Sequence, residues 1–128
     1  MTRRAVSTGS APGAVASYSQ AIATDDLVFC AGQIGLDPVT GELVDGFDAQ
    51  AEQSLKNLAA VLDAAGCTWA DVVKTTCFLA DIGDFAAFNA VYARFMPDPP
   101  PARSTFAVAA LPKGARVEIE AIAVLPKG

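Results

Sequence analysis

Two glutamates and one arginine in the C-terminal part of this 128-residue chain have side chains suited to chemistry on a small anion. Glu118 and Glu120 stand two apart in an apolar run, and such residues point to the same face of a β-strand. Arg103 opens the strand predicted before them. A guanidinium binds a carboxylate through paired N–H donors, and a carboxylate can act as a base towards water. These residues therefore predict a site that grips a small anionic substrate and works on it.

A purely structural role for the same side chains is the alternative. Arg103 could form an ion pair with a glutamate on the neighbouring strand, and Glu120 could take either role considered for Glu118. The residue types alone leave both possibilities open.

Three further residues carry groups that could line a small-molecule site. Tyr18 offers a phenol and an aromatic wall, although it could equally be a core or interface residue. Asn89 offers an amide on a predicted helix, where surface hydrogen bonding is the alternative. Gly32 follows an apolar strand and permits close approach of a ligand to the backbone, but glycines are common at strand ends.

The absence of histidine restricts the chemistry that this chain can perform. It excludes Ser-His-Asp and Cys-His catalysis within the chain, together with the usual zinc sites, so we expect no metal. The cysteines Cys30, Cys67 and Cys77 contain no C-x-x-C pair and are odd in number, which favours free thiols in a reducing cytoplasm.

Composition and charge narrow the class of protein. The length fits one domain, residues 1–128. The net charge is −5, and only Arg3 and Arg4 form a basic pair, which argues against nucleic acid and anionic membranes as partners. No apolar run approaches the length of roughly 18 residues typical of a membrane span. Hydrophobic residues make up 52% and charged residues 18%, so we expect surface buried against another copy of the chain, although alanine inflates the first figure.

Hydrophobic periodicity predicts the order strands, helix, strand, helix and two closing strands. The first helix is predicted from about Asp48 to Ala65, with Gly66 at its C-terminal end. The second helix opens with Asp81 as N-cap and carries an aromatic stripe. Extended segments are predicted at 3–7, 17–23, 27–31, 72–80, 102–109 and 116–125, with a hairpin arm at 42–44 and alternating core residues that include Val73.

This order predicts an α+β fold, in which a mixed β-sheet carries both helices on one face. The residues of the last strand predicted to face the helices are Val117, Ile119, Ala121 and Ala123. Glu118 and Glu120 then belong to the other face, which we expect a second subunit to cover.

Six short segments resemble, in their order and wording, those of the Rid family (RidA/YjgF, reactive intermediate deaminases). They are Tyr18-Ser-Gln-Ala-Ile22, Ala31-Gly-Gln-Ile34, Val73-Lys-Thr-Thr-Cys-Phe-Leu-Ala-Asp81, Phe88-Asn-Ala-Val-Tyr92, Pro101-Ala-Arg-Ser-Thr105 and Val117-Glu-Ile-Glu-Ala-Ile-Ala123. The resemblance covers almost the whole chain, from about Ser17 to Val124, and its last two segments are the most specific.

The resemblance implies a chorismate-mutase-like fold, assembled as a homotrimer with small-ligand clefts between subunits. It also implies hydrolysis of reactive imines or enamines, such as 2-iminopropanoate and 2-iminobutanoate, to the 2-keto acid and ammonia, without a cofactor. Matched by position, Arg103 would bind the substrate carboxylate and Glu118 would place the attacking water. The other residues implied to line the cleft are Tyr18, Gly32, Asn89 and Thr105.

Two departures from the family pattern concern the implied cleft. Thr105 stands where many members have cysteine, and Ala31 stands where some have serine. Both changes remove a polar or soft group and bear on substrate preference. Two other functions stay open: a non-catalytic ligand-binding or chaperone-like trimer, and a ribonuclease, against which the net charge of −5 and the lack of histidine count.

Overall fold

The computed structural model describes residues 2–127, which form a β-sheet with two helices. The strands are β1 (Arg4–Val6), β2 (Ala21–Ala23), β3 (Leu27–Ile34), β4 (Val72–Leu79), β5 (Ala102–Ala107) and β6 (Val117–Val124), and the helices are α1 (Phe47–Ala64) and α2 (Phe85–Ala93). The strand order in this six-stranded sheet is β1-β2-β3-β6-β4-β5. All neighbours are antiparallel except β4 and β5, so the predicted α+β class with a mixed sheet is confirmed.

The alternation of β6 decides which face of the sheet the two glutamates occupy. β6 lies between β3 and β4, and its odd-numbered residues from Val117 to Ala123 are at most 2% exposed. They belong to the core that also includes the buried residues of α1, as the sequence predicted. Glu118 and Glu120 therefore lie on the face turned away from the helices.

Helix α1 covers the centre of the sheet with one apolar stripe, and it begins and ends one residue earlier than predicted. Its residues Ala51, Leu55, Leu58 and Leu62 are at most 1% exposed. Gly66 follows the helix with φ 83°, and the N–H groups of Gly66 and Cys67 donate to carbonyls of its last turn. The predicted C-terminal glycine is thus confirmed. No helix within residues 2–127 is long and apolar enough to cross a membrane.

A crossover connection places α2 above the edge of the sheet, because the parallel strands β4 and β5 cannot be joined by a tight turn. α2 begins at Phe85, later than predicted, since the Asp81 carboxylate caps a separate 3₁₀ turn, Ile82–Asp84, through a hydrogen bond of 2.8 Å. Phe88 and Tyr92 of the predicted aromatic stripe are 0% and 6% exposed. The buried side of α2 therefore presents rings to β5.

β3 does not end at Gly32, as the sequence suggested, but continues to Ile34. Its register against β6 is irregular between Cys30 and Gln33. Gly32 therefore lies in a bulge inside the strand, where β-bulges commonly bend the chain and re-aim its side chains.

Two other predictions about the strands are wrong for similar local reasons. The β4–β6 register is irregular between Val72 and Lys74, so Val73 is 47% exposed and does not face the core. The hairpin arm predicted at 42–44 is reduced to a single bridge between Leu36 and Leu43.

The face of the sheet turned away from the helices carries exposed apolar side chains. Phe29, Phe106 and Val124 are 43%, 45% and 41% exposed, and Phe78 packs edge-to-face on Phe106 with 5.3 Å between ring centroids. An apolar patch of this kind is typical of a surface that another molecule covers.

The buried hydrogen bond between Thr75 and Tyr92 ties β4 to α2, with 2.7 Å between the hydroxyl oxygens. Thr75→Val keeps the side-chain volume but leaves the Tyr92 hydroxyl unpaired, so we expect a loss of about 1–2 kcal/mol in the free energy of unfolding. Urea denaturation measures it, with an unchanged m-value. The control Thr76→Val, on the opposite face, should stay within about 0.5 kcal/mol of wild type. Equal losses in both variants would contradict the assignment.

Candidate active site

Arg103 lies on the helix-covered face of β5, beneath α2. Within the sheet, Thr75 of β4 is paired with Arg103 on one side and with Ala121 of β6 on the other. Directly paired residues share a face, and Ala121 belongs to the core. The Arg103 side chain therefore points to the same side as the helices.

Aromatic rings, not carboxylates, hold the guanidinium of Arg103. Its Cζ lies 4.9 Å from the ring centroid of Tyr92, 5.6 Å from that of Phe85 and 5.7 Å from that of Phe88. Such contacts contribute about 0.5–1 kcal/mol each at exposed sites, since the ring face is electron-rich. Within residues 2–127, Arg103 forms no ion pair. Its charge is therefore available to an anion from outside the chain.

A hollow of about 430 Å³ opens beside this guanidinium, between α2 and the proline-rich segment 97–101, and we call it the arginine cleft. Asn89 lines it, and Thr105 follows Arg103 by two residues on the same face of β5. The oxygens Asn89 Oδ1 and Thr105 Oγ1 are buried and have no hydrogen-bond partner within residues 2–127. A buried acceptor left unpaired costs about 1–3 kcal/mol, so both atoms favour a ligand that supplies hydrogen bonds.

Glu118 lies on the opposite face of the sheet, against the backbone of Gly32. A side chain at position 32 would place its Cβ 2.8 Å from Cδ of Glu118, so the carboxyl group keeps this position only beside a glycine. The bulge in β3 brings the two residues together, since Glu118 is paired with Ile34 just beyond it.

The surroundings of Glu118 favour its protonated form. Burial raises the pKa of the Glu118 carboxyl above its ordinary value of 4.5, and the neighbouring Glu120 carboxylate raises it further. When ionised, such a carboxylate is a stronger base towards water than one exposed to solvent. A raised pKa in a cleft is typical of catalytic acids and bases.

Glu118 and Gly32 line a second hollow of about 510 Å³, which we call the glutamate cleft. Tyr18, which is 50% exposed, and Ala31 also line it. The fold thus brings together Tyr18, Gly32 and Glu118, three of the site residues predicted from the sequence.

The two clefts lie on opposite faces of one sheet, so Arg103 and Glu118 cannot hold one substrate within a single chain. The alternative left open by the sequence, an ion pair between Arg103 and a glutamate of the neighbouring strand, does not form within residues 2–127. The neighbour of β5 is β4, which separates it from β6. The candidate residues therefore divide into two sets, with Asn89 and Thr105 beside Arg103 and the others beside Glu118.

Buried amides that the sequence analysis did not single out support the loops around the glutamate cleft. Gln20, Gln50 and Asn57 are 4%, 5% and 1% exposed. The Asn57 amide donates to the carbonyls of Ile34 and Leu36, and Gln50 accepts from the backbone N–H of residue 116. Positions 50, 54, 57 and 61 of α1 are all buried, and this helical spacing is the signal that could have placed Gln50 and Asn57 inside.

The thiols and acidic groups form no further centre. Within residues 2–127 there is no cluster of three or more histidine, cysteine, aspartate or glutamate side chains that could bind a metal ion. The three cysteines are free and buried. Burial raises the pKa of the Cys30 thiol to about 12 and that of Cys77 to about 11, so both are protonated at neutral pH and poorly nucleophilic.

Known proteins are similar to this chain in sequence and in fold. The model of the family described as endoribonuclease L-PSP matches residues 8–125. The chain belongs to this family, the YjgF/Rid family. The Rid resemblance seen in the sequence is thereby confirmed. The human protein named 2-iminobutanoate/2-iminopropanoate deaminase is 50% identical over 125 residues, which cover 97% of this chain and 91% of the human one.

Solved structures of this family have the same fold. RidA from an Antarctic Psychrobacter species is 47% identical and superposes with a TM-score of 0.93, covering 95% of this chain and 99% of that one. E. coli TdcF with bound serine is 42% identical and superposes with a TM-score of 0.91, covering 96% and 99% of the two chains.

The raised pKa of Glu118 predicts a pH-dependent effect of Glu118→Gln on stability. The unfolded chain releases this proton near the ordinary pKa of 4.5, whereas the folded protein releases it only at a higher pH. Between the two values the folded state binds more protons, so wild-type stability falls as the pH rises through this window. Glutamine cannot ionise, and Glu118→Gln should therefore gain stability over wild type as the pH rises from 4 to neutrality.

Urea denaturation at a series of pH values measures this difference. Glu120→Gln serves as the comparison, because it removes the neighbouring charge while Glu118 stays half-buried, and its benefit should be smaller. A stability difference between wild type and Glu118→Gln that is constant across the series would contradict the burial argument.

Proposed function

We propose that this protein hydrolyses reactive 2-imino and enamino acids, such as 2-iminopropanoate and 2-iminobutanoate, to 2-keto acids and ammonia. The observation that carries the proposal is the guanidinium of Arg103, which rings hold beside a cleft and which has no carboxylate partner among residues 2–127. The human relative at 50% identity is named for this reaction.

The arginine cleft binds the substrate. The two parallel N–H donors of the Arg103 guanidinium hold the α-carboxylate, which every 2-imino acid carries. The unpartnered oxygens of Asn89 and Thr105 then accept hydrogen bonds from the substrate or its bound water. This arrangement fixes the C=N carbon at a set distance from the guanidinium.

Glu118 supplies the water. Its ionised carboxylate accepts a proton from a water molecule in the glutamate cleft, and the water oxygen bonds to the C=N carbon. Glu118 returns this proton to the imine nitrogen, which gives a neutral carbinolamine. Transfer of the carbinolamine hydroxyl proton to the same nitrogen then makes ammonia the leaving group, the C–N bond breaks, and the carbonyl of the keto acid forms. The imine is already electrophilic, so orientation of the reactants provides most of the rate gain.

One active site needs two copies of the chain, because Arg103 and Glu118 lie on opposite faces of the sheet. The arginine cleft of one copy meets the glutamate cleft of the next. Two different patches then face each other in a heterologous contact, which closes into a ring when the rotation allows it. The ring proposed here is a homotrimer, the assembly that the family resemblance implies.

The exposed apolar side chains beside Glu118 support such an assembly. Phe29, Phe106 and Val124 lie on the same face as Glu118, and a second copy that covers them also covers the glutamate cleft. Closing the cleft removes bulk water, which strengthens the electrostatic contacts inside it.

Ribonuclease activity is a second candidate, because the matching family is described as endoribonuclease L-PSP. The net charge of −5 and the lack of histidine count against it. Cleavage of RNA by purified protein, abolished by salt, would favour it over imine hydrolysis.

The function can be tested by trapping imine. An amino-acid oxidase generates 2-iminopropanoate in situ, and semicarbazide captures what remains after the protein has acted. We expect wild type to lower the trapped imine and Arg103→Ala to lose roughly 100-fold or more in kcat/KM, since a buried charge pair is broken.

Arg4→Ala is the matched control, because Arg4 is an exposed arginine on β1, at the sheet edge opposite to β5. It should keep wild-type activity. Equal rates for wild type and Arg103→Ala would contradict the catalytic proposal and favour a ligand-binding or chaperone-like protein.

The shared site predicts complementation between two inactive variants. Arg103→Ala and Glu118→Gln should each lack activity as pure proteins. Mixed rings made by co-expression contain junctions at which an intact arginine faces an intact glutamate, and about one quarter of the junctions are of this kind in a random mixture. We expect activity of that order in the mixed sample, measured by the semicarbazide assay.

Mixing the two purified proteins without subunit exchange is the control and should stay inactive. A mixed ring without activity would contradict a site shared between two chains. Native mass spectrometry of the same sample counts the chains in the ring.

A further inference from the structure

The segment between β1 and β2 forms one wall of the glutamate cleft without belonging to a helix or strand. Its residues Pro12, Gly13, Val15 and Tyr18 line the cleft. The backbone of such a loop lacks the regular hydrogen bonds of a helix or sheet. Its N–H and C=O groups therefore need other partners.

The side chain of Gln20 supplies these partners. Its Oε1 accepts from the Thr8 N–H at 2.7 Å, and its Nε2 donates to the carbonyls of Thr8 and Pro12 at 3.1 and 2.8 Å. An amide side chain has two N–H donors and one acceptor oxygen. Both the donor and the acceptor groups of Gln20 are therefore used in the loop.

The backbone of Gln20 also contacts the part of β3 that lines the glutamate cleft. Its carbonyl accepts from the Ala31 N–H at 2.9 Å, and Ala31 precedes the glycine on which Glu118 rests. Gln20 is 4% exposed, so water cannot replace these bonds if the amide is removed. Gln20 itself does not line the glutamate cleft.

We propose that Gln20 is a positioning residue for the reaction, acting through the 8–13 segment to keep the glutamate cleft in its substrate-binding shape. The proposal rests on the imine hydrolysis proposed above and adds a residue that never touches the substrate. Gln20 fixes the wall before the substrate arrives, so its loss weakens binding more than it slows the chemical step.

Two substitutions test this role. Gln20→Met removes all of the side-chain bonds, and Gln20→Glu keeps the Oε1 acceptor but replaces the Nε2 donors with a second oxygen, which provides another variant should the first fail to fold. We expect each to raise KM for 2-iminobutanoate by about fivefold or more while kcat changes less than about twofold.

Val61→Ala is the stability control, since Val61 is a fully buried residue of α1 that lines neither cleft. It should lower Tm and leave KM unchanged. Gln20 variants that lower Tm but keep the wild-type KM would overturn the proposal.

Hydrogen exchange separates this proposal from the proposed reaction. If wild type shows no imine turnover, the reaction is refuted, and amide exchange at residues 8–18 still decides the role of Gln20. Exchange there should be faster in Gln20→Glu than in Val61→Ala at matched Tm. Equal exchange in the two variants would refute the positioning role.

Discussion

The alternation of side chains across a single sheet is the constraint on which the rest of this protein depends. β4 stands between β5 and β6, and the registers put Arg103 on the helix-covered face and Glu118 on the open one. No local rearrangement of the two side chains can bring them together, because the sheet lies between them. A fold that separates Arg103 and Glu118 in this way can use both on one substrate, as proposed, only when two copies of the chain associate.

Each half of the site is built before any substrate arrives. The Arg103 side is preformed by three rings of α2, and the Glu118 side by a glycine that lets the carboxyl group lie on the backbone. Buried amide side chains donate hydrogen bonds to backbone carbonyls of the surrounding loops. Groups that are already in position stabilise developing charge most effectively. Preformed clefts of this kind therefore suit the proposed hydrolysis.

Local patterns in the sequence predicted the parts of the site but not their arrangement. Alternation in the last strand correctly placed Glu118 away from the core, and the glycine predicted at the C-terminal end of α1 follows that helix. Strand order is a tertiary property, and nothing near Arg103 revealed that β4 would separate it from the glutamates. Val73 was misplaced because a register shift leaves no mark on periodicity. The role of Gln20 was not predicted, because a buried amide is recognised by its hydrogen-bond partners and these lie in another part of the chain.

The aromatic rings around Arg103 also determine how the candidate site responds to pH. A guanidinium does not lose its proton in proteins, and the rings of Phe85 and Phe88 carry no titratable group. Burial raises the pKa of the third ring's hydroxyl, that of Tyr92, above its ordinary value of 10. The arginine half of the candidate site therefore keeps its positive charge around neutral pH. The carboxyl half responds to acidity, because the pKa of Glu118 is raised by burial. In the ring proposed above, the fixed charge and the titrating group at each site belong to different copies of the chain.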